Sequence, residues 1–209
     1  MGHDCCAIDH NPTRTAAVRR VLWTVLAINA TMFAAEISAG VAAGSLALQA
    51  DSLDFLGDAA TYAVSLFVLS RSLTWRAGAA LAKGGAMFAI GLVILASAAI
   101  GFTSAEAPAH GTMGLVGSVA LAANVACAAL LYRFRAAESN LRSAWLCSRN
   151  DAVGNVAVLA AAAGVWDTAT HWPDLIVGVG MAVLAMVASV QVIRQAVGEL
   201  SVRTVAAAE

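Results

Sequence analysis

Charge is what this 209-residue sequence has least of: 12 Lys and Arg, 13 Asp and Glu, together 12% of the chain. A soluble globular domain carries about 25% charged and 45–50% apolar residues, whereas here 60% are hydrophobic, which excludes that class and points to a membrane protein. The net charge of −1 argues against a nucleic-acid partner. Prolines number only three and tyrosines two, and no strand-like alternation persists beyond a few residues. The four cysteines make no disulfide framework, since Cys5 and Cys6 are adjacent and Cys127 and Cys147 fall in apolar stretches. A Gly-x-x-x-x-Gly-Lys run is missing, so nothing suggests a nucleotide-driven machine.

What is present is apolar length. Six segments can be cut, near 21–44, 46–70, 79–101, 112–132, 143–166 and 174–194. Each has the roughly 20 residues needed to cross about 30 Å of hydrocarbon. The expected fold is an all-α membrane protein of six transmembrane helices, because lipid leaves no water to satisfy an open backbone. The first segment is too long for a signal-peptide core and is expected to stay as a span. Residues 1–20 and 195–209 are expected to be short cytoplasmic tails around a 21–194 transport domain, too short to fold alone.

Orientation follows from the basic residues. Arg14, Arg19, Arg20, Arg71, Arg76, Lys83, Arg133, Arg135, Arg142, Arg194 and Arg203 all fall on one side of the six-span arrangement. The other side carries Glu106, His110, Asp167, His171 and Asp174. The positive-inside rule places both termini in the cytoplasm. Arg149 falls within the fifth segment near its cytoplasmic end, where it can snorkel. The expected location is the cell (inner) membrane of a bacterium.

Against this background the second segment is anomalous, with Asp51, Asp54 and Asp58 inside it. A carboxylate at bilayer depth costs several kcal/mol and persists only with a cation, a partner or a water-filled path. The i, i+3, i+7 spacing rotates by roughly 300° and then 700°, so all three project from one helical face. In the fifth segment Cys147, Asp151 and Asn155 recur at i, i+4 and i+8 on one face. Asp54 and Asp58 form a matching i, i+4 pair, and both pairs are expected near mid-membrane. Facing each other, they offer a metal site of Asp54, Asp58, Cys147 and Asp151, the kind of arrangement found in bundle cores.

Three carboxylates and a thiol suit a small divalent ion at about 2.0–2.3 Å, zinc above all, with sulfur favouring softer ions such as cadmium. Calcium and magnesium prefer more oxygens and no thiolate. Ligands must shed protons to bind metal, so a proton gradient can drive metal movement. Asp51, Asn155 and Glu36 are expected to support the ligands or line the path. Asn29 and Asn124 read as hydrogen-bond formers between helices, and Cys127, without a polar companion, as packing. The run His3-Asp4-Cys5-Cys6-Ala7-Ile8-Asp9-His10 makes His3, Cys5, Cys6 and His10 candidates for cytoplasmic metal capture. His110 and His171 are weaker candidates for receiving departing ions outside.

The stretch Gly44-Ser45-Leu46-Ala47-Leu48-Gln49-Ala50-Asp51-Ser52-Leu53-Asp54-Phe55-Leu56-Gly57-Asp58-Ala59 resembles the second-span signature of the cation diffusion facilitators, exporters of zinc, cadmium, cobalt and manganese. In that family a His/Asp-x-x-x-Asp pair in the second span meets a similar pair in the fifth. Asp54 and Asp58, then Cys147 and Asp151, stand at those positions, and Glu36-x-x-x-Gly40 resembles the first span. The resemblance implies an antiporter exporting Zn2+, Cd2+ or Co2+ as substrate against H+, with no cofactor and no enzymatic activity. It also implies a homodimer, which here would form through the transmembrane helices, since the family's cytoplasmic domain has no counterpart. The cysteine at 147, where the family usually has histidine, is a departure that bears on ion preference. Two other functions fit parts of the sequence: a membrane metal sensor or chaperone partner, suggested by the amino-terminal cluster, and a proton-coupled organic cation carrier. The latter wants an aromatic-lined pocket, and only Phe55 and Tyr62 lie near the acids.

Overall fold

The computed structural model describes residues 12–67, 73–102, 106–134 and 139–206. Long apolar runs with few breakers give six helices: α1 Pro12–Ala43, α2 Leu46–Phe67, α3 Leu73–Gly101, α4 His110–Tyr132, α5 Ser139–Thr168 and α6 Trp172–Ala206. No strand occurs among the described residues. The breaks lie where the sequence places them, and the first and last helices run on beyond residues 21 and 194. The amino-terminal residues His3, Cys5, Cys6 and His10 lie outside the described residues, as do Arg71 and Arg135 and the side chains of Arg14, Arg76, Arg142 and Arg203.

The tightest break shows how local chemistry makes the turn. Gly44 has φ +66°, a left-handed conformation that costs glycine nothing. Ser45 N–H donates to the Gly40 carbonyl at 2.9 Å and Gly44 N–H to the Val41 carbonyl at 3.3 Å, the paired bonds of a Schellman stop. Ser45 then starts the next helix, its Oγ accepting from Leu48 N–H at 3.1 Å. One dipeptide thus ends α1 and caps α2, which forces the two helices into a hairpin.

In the assembled bundle α1, α2, α4 and α5 pack around one another, while α3 and α6 pair and lean on α2. The central helix is α2, which touches all five others. Gly178 of α6 permits its closest contact: a Cβ there would lie 2.7 Å from the Leu46 carbonyl carbon and 2.8 Å from Ala47 N. The helix richest in acid is therefore the one most enclosed by protein.

Outward surfaces are apolar. Ile100, Leu115, Val153, Ile176 and Leu184 are exposed, and 28% or less of each apolar window in α1, α3, α4 and α6 is buried. A water-soluble protein does not present such a belt, and these four helices are long and apolar enough to cross a membrane. The other two, α2 and α5, carry the polar residues of the candidate site. Exposed tryptophans mark both ends: Trp23 meets Phe67 edge-on at one, Trp172 meets Phe102 at the other. Such rings sit at headgroup level. The protein is an integral membrane protein of helices.

Candidate metal site at the α2–α5 contact

The acids on α2 point into the bundle. Asp51 is 1% exposed and Asp58 7%, and Asp54 is partly exposed beside them. From α5, Asp151 comes within electrostatic reach of Asp54, Asp58 and Asp51. Cys147, one turn earlier, stands within reach of Asp58, Asp151 and Asp54. The four residues expected as ligands therefore belong to one neighbourhood. Among the described residues, however, no three His, Cys, Asp or Glu side chains stand close enough together to hold an ion as placed. The geometry gives two reasons.

Asp58 is already engaged. Its Oδ2 accepts a hydrogen bond from the Tyr62 hydroxyl at 2.8 Å and another from Ser148 Oγ at 3.3 Å, and those two hydroxyls are 3.2 Å apart. Tyr62 and Ser148 are both buried, so this three-membered cluster ties α2 to α5 beneath the acids. Cys147, next to Ser148, is turned to an exposed position instead.

Higher up, Gly154 of α5 faces the other two carboxylates. A Cβ built there would lie 3.6 Å from Asp51 Oδ1 and 3.8 Å from Asp54 Oδ2. With no side chain at 154, α5 leaves about the room of one methyl group beside both oxygens, closed off by Met181 Cε at 3.3 Å from that point. Since α2 and α5 run in opposite directions, Asp58 pairs in height with Cys147, Asp54 with Asp151 and Asp51 with Gly154.

Asp51 has a second neighbour that its stripe does not reveal. It faces the Glu36 carboxyl group of α1, with Glu36 0% exposed. No hydrogen-bond donor among the described residues reaches any of the four oxygens. Two buried carboxyl groups facing each other favour a proton or a cation between them. Asn155 bonds back to its own helix, Nδ2 to the Asp151 carbonyl at 2.9 Å, and leaves its Oδ1 buried without a partner.

Several placements differ from expectation. Lys83, counted with the cytoplasmic basic residues, is half-buried inside the bundle on α3 and donates from Nζ to Thr61 Oγ1 at 2.6 Å. Its charge acts on Asp58, Cys147 and Asp151. Counting basic residues by segment cannot see this, because Lys83 lies two helical turns beyond Arg76. Cys127 does have a polar companion: Asn29 Nδ2 donates to its Sγ at 3.5 Å, joining α1 to α4. That bond bears out Asn29 as a link between helices. Arg149 points away from the acids and lies 5.4 Å from the Trp145 ring centre.

At the end of the bundle where α1 turns into α2, Asp174 of α6 is buried. Its carboxylate accepts from Ser45 Oγ at 2.6 Å, Leu46 N–H at 2.8 Å and Ala47 N–H at 3.1 Å. An acid from one helix thereby satisfies the free amides at the start of another, where the helix dipole also favours negative charge. Beside it lies a cavity of about 490 Å3, lined among others by Gln49, Glu106, His171 and Asp174. His171 lines this cavity, with its Nε2 buried and without a hydrogen-bond partner among the described residues.

Of the residues missed, Tyr62 carried a usable signal at i+4 from Asp58. Ser148 did not, being off the Cys147–Asp151 stripe. Gly154 and Asp174 become visible only when helices meet.

A search of curated proteins finds no match. A family model described as the cation efflux transmembrane domain does match, over residues 22–201, which takes in all six helices. Members of this family are transporters and not enzymes. The enclosed acids, the lipid-facing belt and that match agree, and the chain belongs to the cation efflux family.

Proposed function

We propose that the protein exports divalent transition-metal cations, zinc or cadmium foremost and cobalt as a further candidate, from the cytoplasm in exchange for protons. The observation that carries this reading is the meeting of the α2 and α5 acids in one neighbourhood, where Gly154 puts no side chain between α5 and the Asp51 and Asp54 carboxylates. Asp54, Asp58, Cys147 and Asp151 are the proposed ligands, with Asp51, Glu36 and Asn155 supporting them. In the hypothesis, an ion arriving from the cytoplasmic side meets the exposed Cys147 thiol and draws Asp58 from Tyr62 and Ser148. It then gains Asp54 and Asp151 as ligands and displaces their protons. Opening toward the outer cavity near Gln49 lets protons return to the same groups and release the metal. The facing Glu36 and Asp51 carboxyl groups support proton exchange, since such a contact holds a proton when it holds no cation. A thiol among carboxylates supports softer ions over calcium or magnesium. The one-sided distribution of basic residues supports cytoplasmic termini.

The test is metal flux in inverted vesicles with an imposed proton gradient, across zinc, cadmium, cobalt and manganese. Asp58→Ala and Asp151→Ala are each expected to abolish flux; full flux in both refutes the site. Cys147→His is expected to lower the preference for cadmium over zinc, and an unchanged preference removes the thiol from the ligand set.

A further inference from the structure

Lys83 is the one lysine in the sequence; the other eleven basic residues are arginines. It is also the cation that acts on the acid cluster from within the bundle. Its stem runs along α2 at Gly57, where an added Cβ would come 3.9 Å from Lys83 Cε. Its ammonium group ends on Thr61, whose hydroxyl in turn donates to the Gly57 carbonyl at 2.8 Å. Thr61 is one helical turn beyond Asp58, so on Thr61 the ammonium group is already within electrostatic reach of the acids, and rotations of a flexible four-carbon side chain can bring it nearer or take it farther. A lysine suits this role better than arginine, being a compact charge on a mobile arm rather than a planar fork.

We propose that Lys83 is a tethered competitor for the transport site: its ammonium group balances the α2–α5 acids when no metal is bound and is driven back onto Thr61 when a metal enters. The proposal rests on those acids being the metal site. An exporter must return to the inward-facing state without metal, and any carboxylate that the incoming protons leave ionised is costly there without a cation. A resident positive charge lowers that cost and, by the same repulsion, loosens the bound metal so that it can leave. Lys83 thereby sets affinity against turnover. A doubly charged ion held by oxygen and sulfur can displace the ammonium group, whereas a singly charged ion has less advantage, so Lys83 also selects for divalent cations.

The test combines metal binding with flux for the full chain in lipid nanodiscs and vesicles. Lys83→Gln removes the charge while keeping a donor for Thr61. It is expected to bind zinc at least about tenfold more tightly at fixed pH and ionic strength, while flux at saturating metal falls. Lys83→Arg is expected to stay near wild-type affinity, and Thr61→Val not to tighten binding. If Lys83→Gln leaves zinc affinity within about twofold of wild type, the proposal fails and Lys83 merely staples α3 to α2. A second measurement needs no variant at position 83: [15N]lysine labelling gives one side-chain signal, expected to shift on zinc saturation. A signal unmoved by saturating zinc also overturns the proposal. Asp58→Ala and Asp151→Ala separate the two levels. If they leave zinc binding intact, the site itself is wrong; if they abolish it while Lys83→Gln has no effect, only the tethered cation is wrong.

Discussion

Placing a methyl group at Gly154 separates two quantities that usually fall together, stability and binding. Alanine is preferred over glycine in a helix interior by about 0.5–1 kcal/mol. The fit is tight but relievable: the tightest neighbour of the new Cβ is Met181 Cε at 3.3 Å, the free end of a flexible side chain, which needs to give by only a few tenths of an ångström. Gly154→Ala is therefore expected to fold and to unfold at an equal or higher temperature. The same methyl would stand 3.6 Å from Asp51 Oδ1 and 3.8 Å from Asp54 Oδ2. An ion bound about 2.0–2.3 Å from either oxygen and directed at the methyl carbon would lie less than about 2 Å from it, which is excluded. Binding must then use other lone pairs or shift the helices, and a loss of at least about tenfold in zinc affinity, some 1.4 kcal/mol, is expected.

The matched control is Gly178→Ala, where the new Cβ would fall 2.7–2.8 Å from backbone atoms of Leu46 and Ala47 that cannot rotate away. Overpacking of that kind costs about 1–3 kcal/mol, so this variant is expected to melt earlier. The assay is paired: thermal unfolding by intrinsic tryptophan fluorescence in nanodiscs, and zinc affinity by competition with a chelating dye. A Gly154→Ala protein that binds zinc with wild-type affinity refutes the placement of the ion against α5. One that melts well below wild type refutes the claim of open space.

What could be read from the sequence, and what could not, divides by range. The Gly44-Ser45 break is legible because both helix stop and helix cap are made within a few residues of it. Asp54, Asp58, Cys147 and Asp151 share faces by spacing alone, so their grouping needed no tertiary knowledge. Their failure to converge did need it, because Asp58 is held by Ser148, a residue on a different stripe of α5. Counting by segment groups Lys83 with the other basic residues because it assigns sides and not depth. Asp174 looked like a surface acid near a loop, yet three bonds to residues 45–47 make it part of another helix's start. Asp51 is the intermediate case: its stripe marked it as near the site, but its actual neighbour, Glu36, sits on a helix with no spacing relation to it.

Two further outcomes follow from the ends of the ion path and the chemistry along it. Asp174→Ala removes an acceptor serving Ser45, Leu46 and Ala47 and leaves buried donors unpaired, at about 1–3 kcal/mol. Thermal unfolding is expected to shift down, and an unchanged midpoint refutes the latch. The second concerns proton release. Carboxylates and a thiol bind metal only after losing their protons, and protons and metal then compete for the same atoms. Zinc affinity is therefore expected to weaken as pH falls, because the protonated ligands favoured at low pH must be deprotonated by the incoming ion. The number displaced can be counted by titration calorimetry in buffers of different ionisation enthalpy, where the apparent binding enthalpy changes in proportion to protons released. At least one proton per zinc is expected, and Asp151→Asn is expected to lower the count if measurable binding remains. Zinc binding with no buffer dependence and no pH dependence would mean that the ion enters ligands already ionised. Metal and protons would then not exchange on these groups, however close the acids lie.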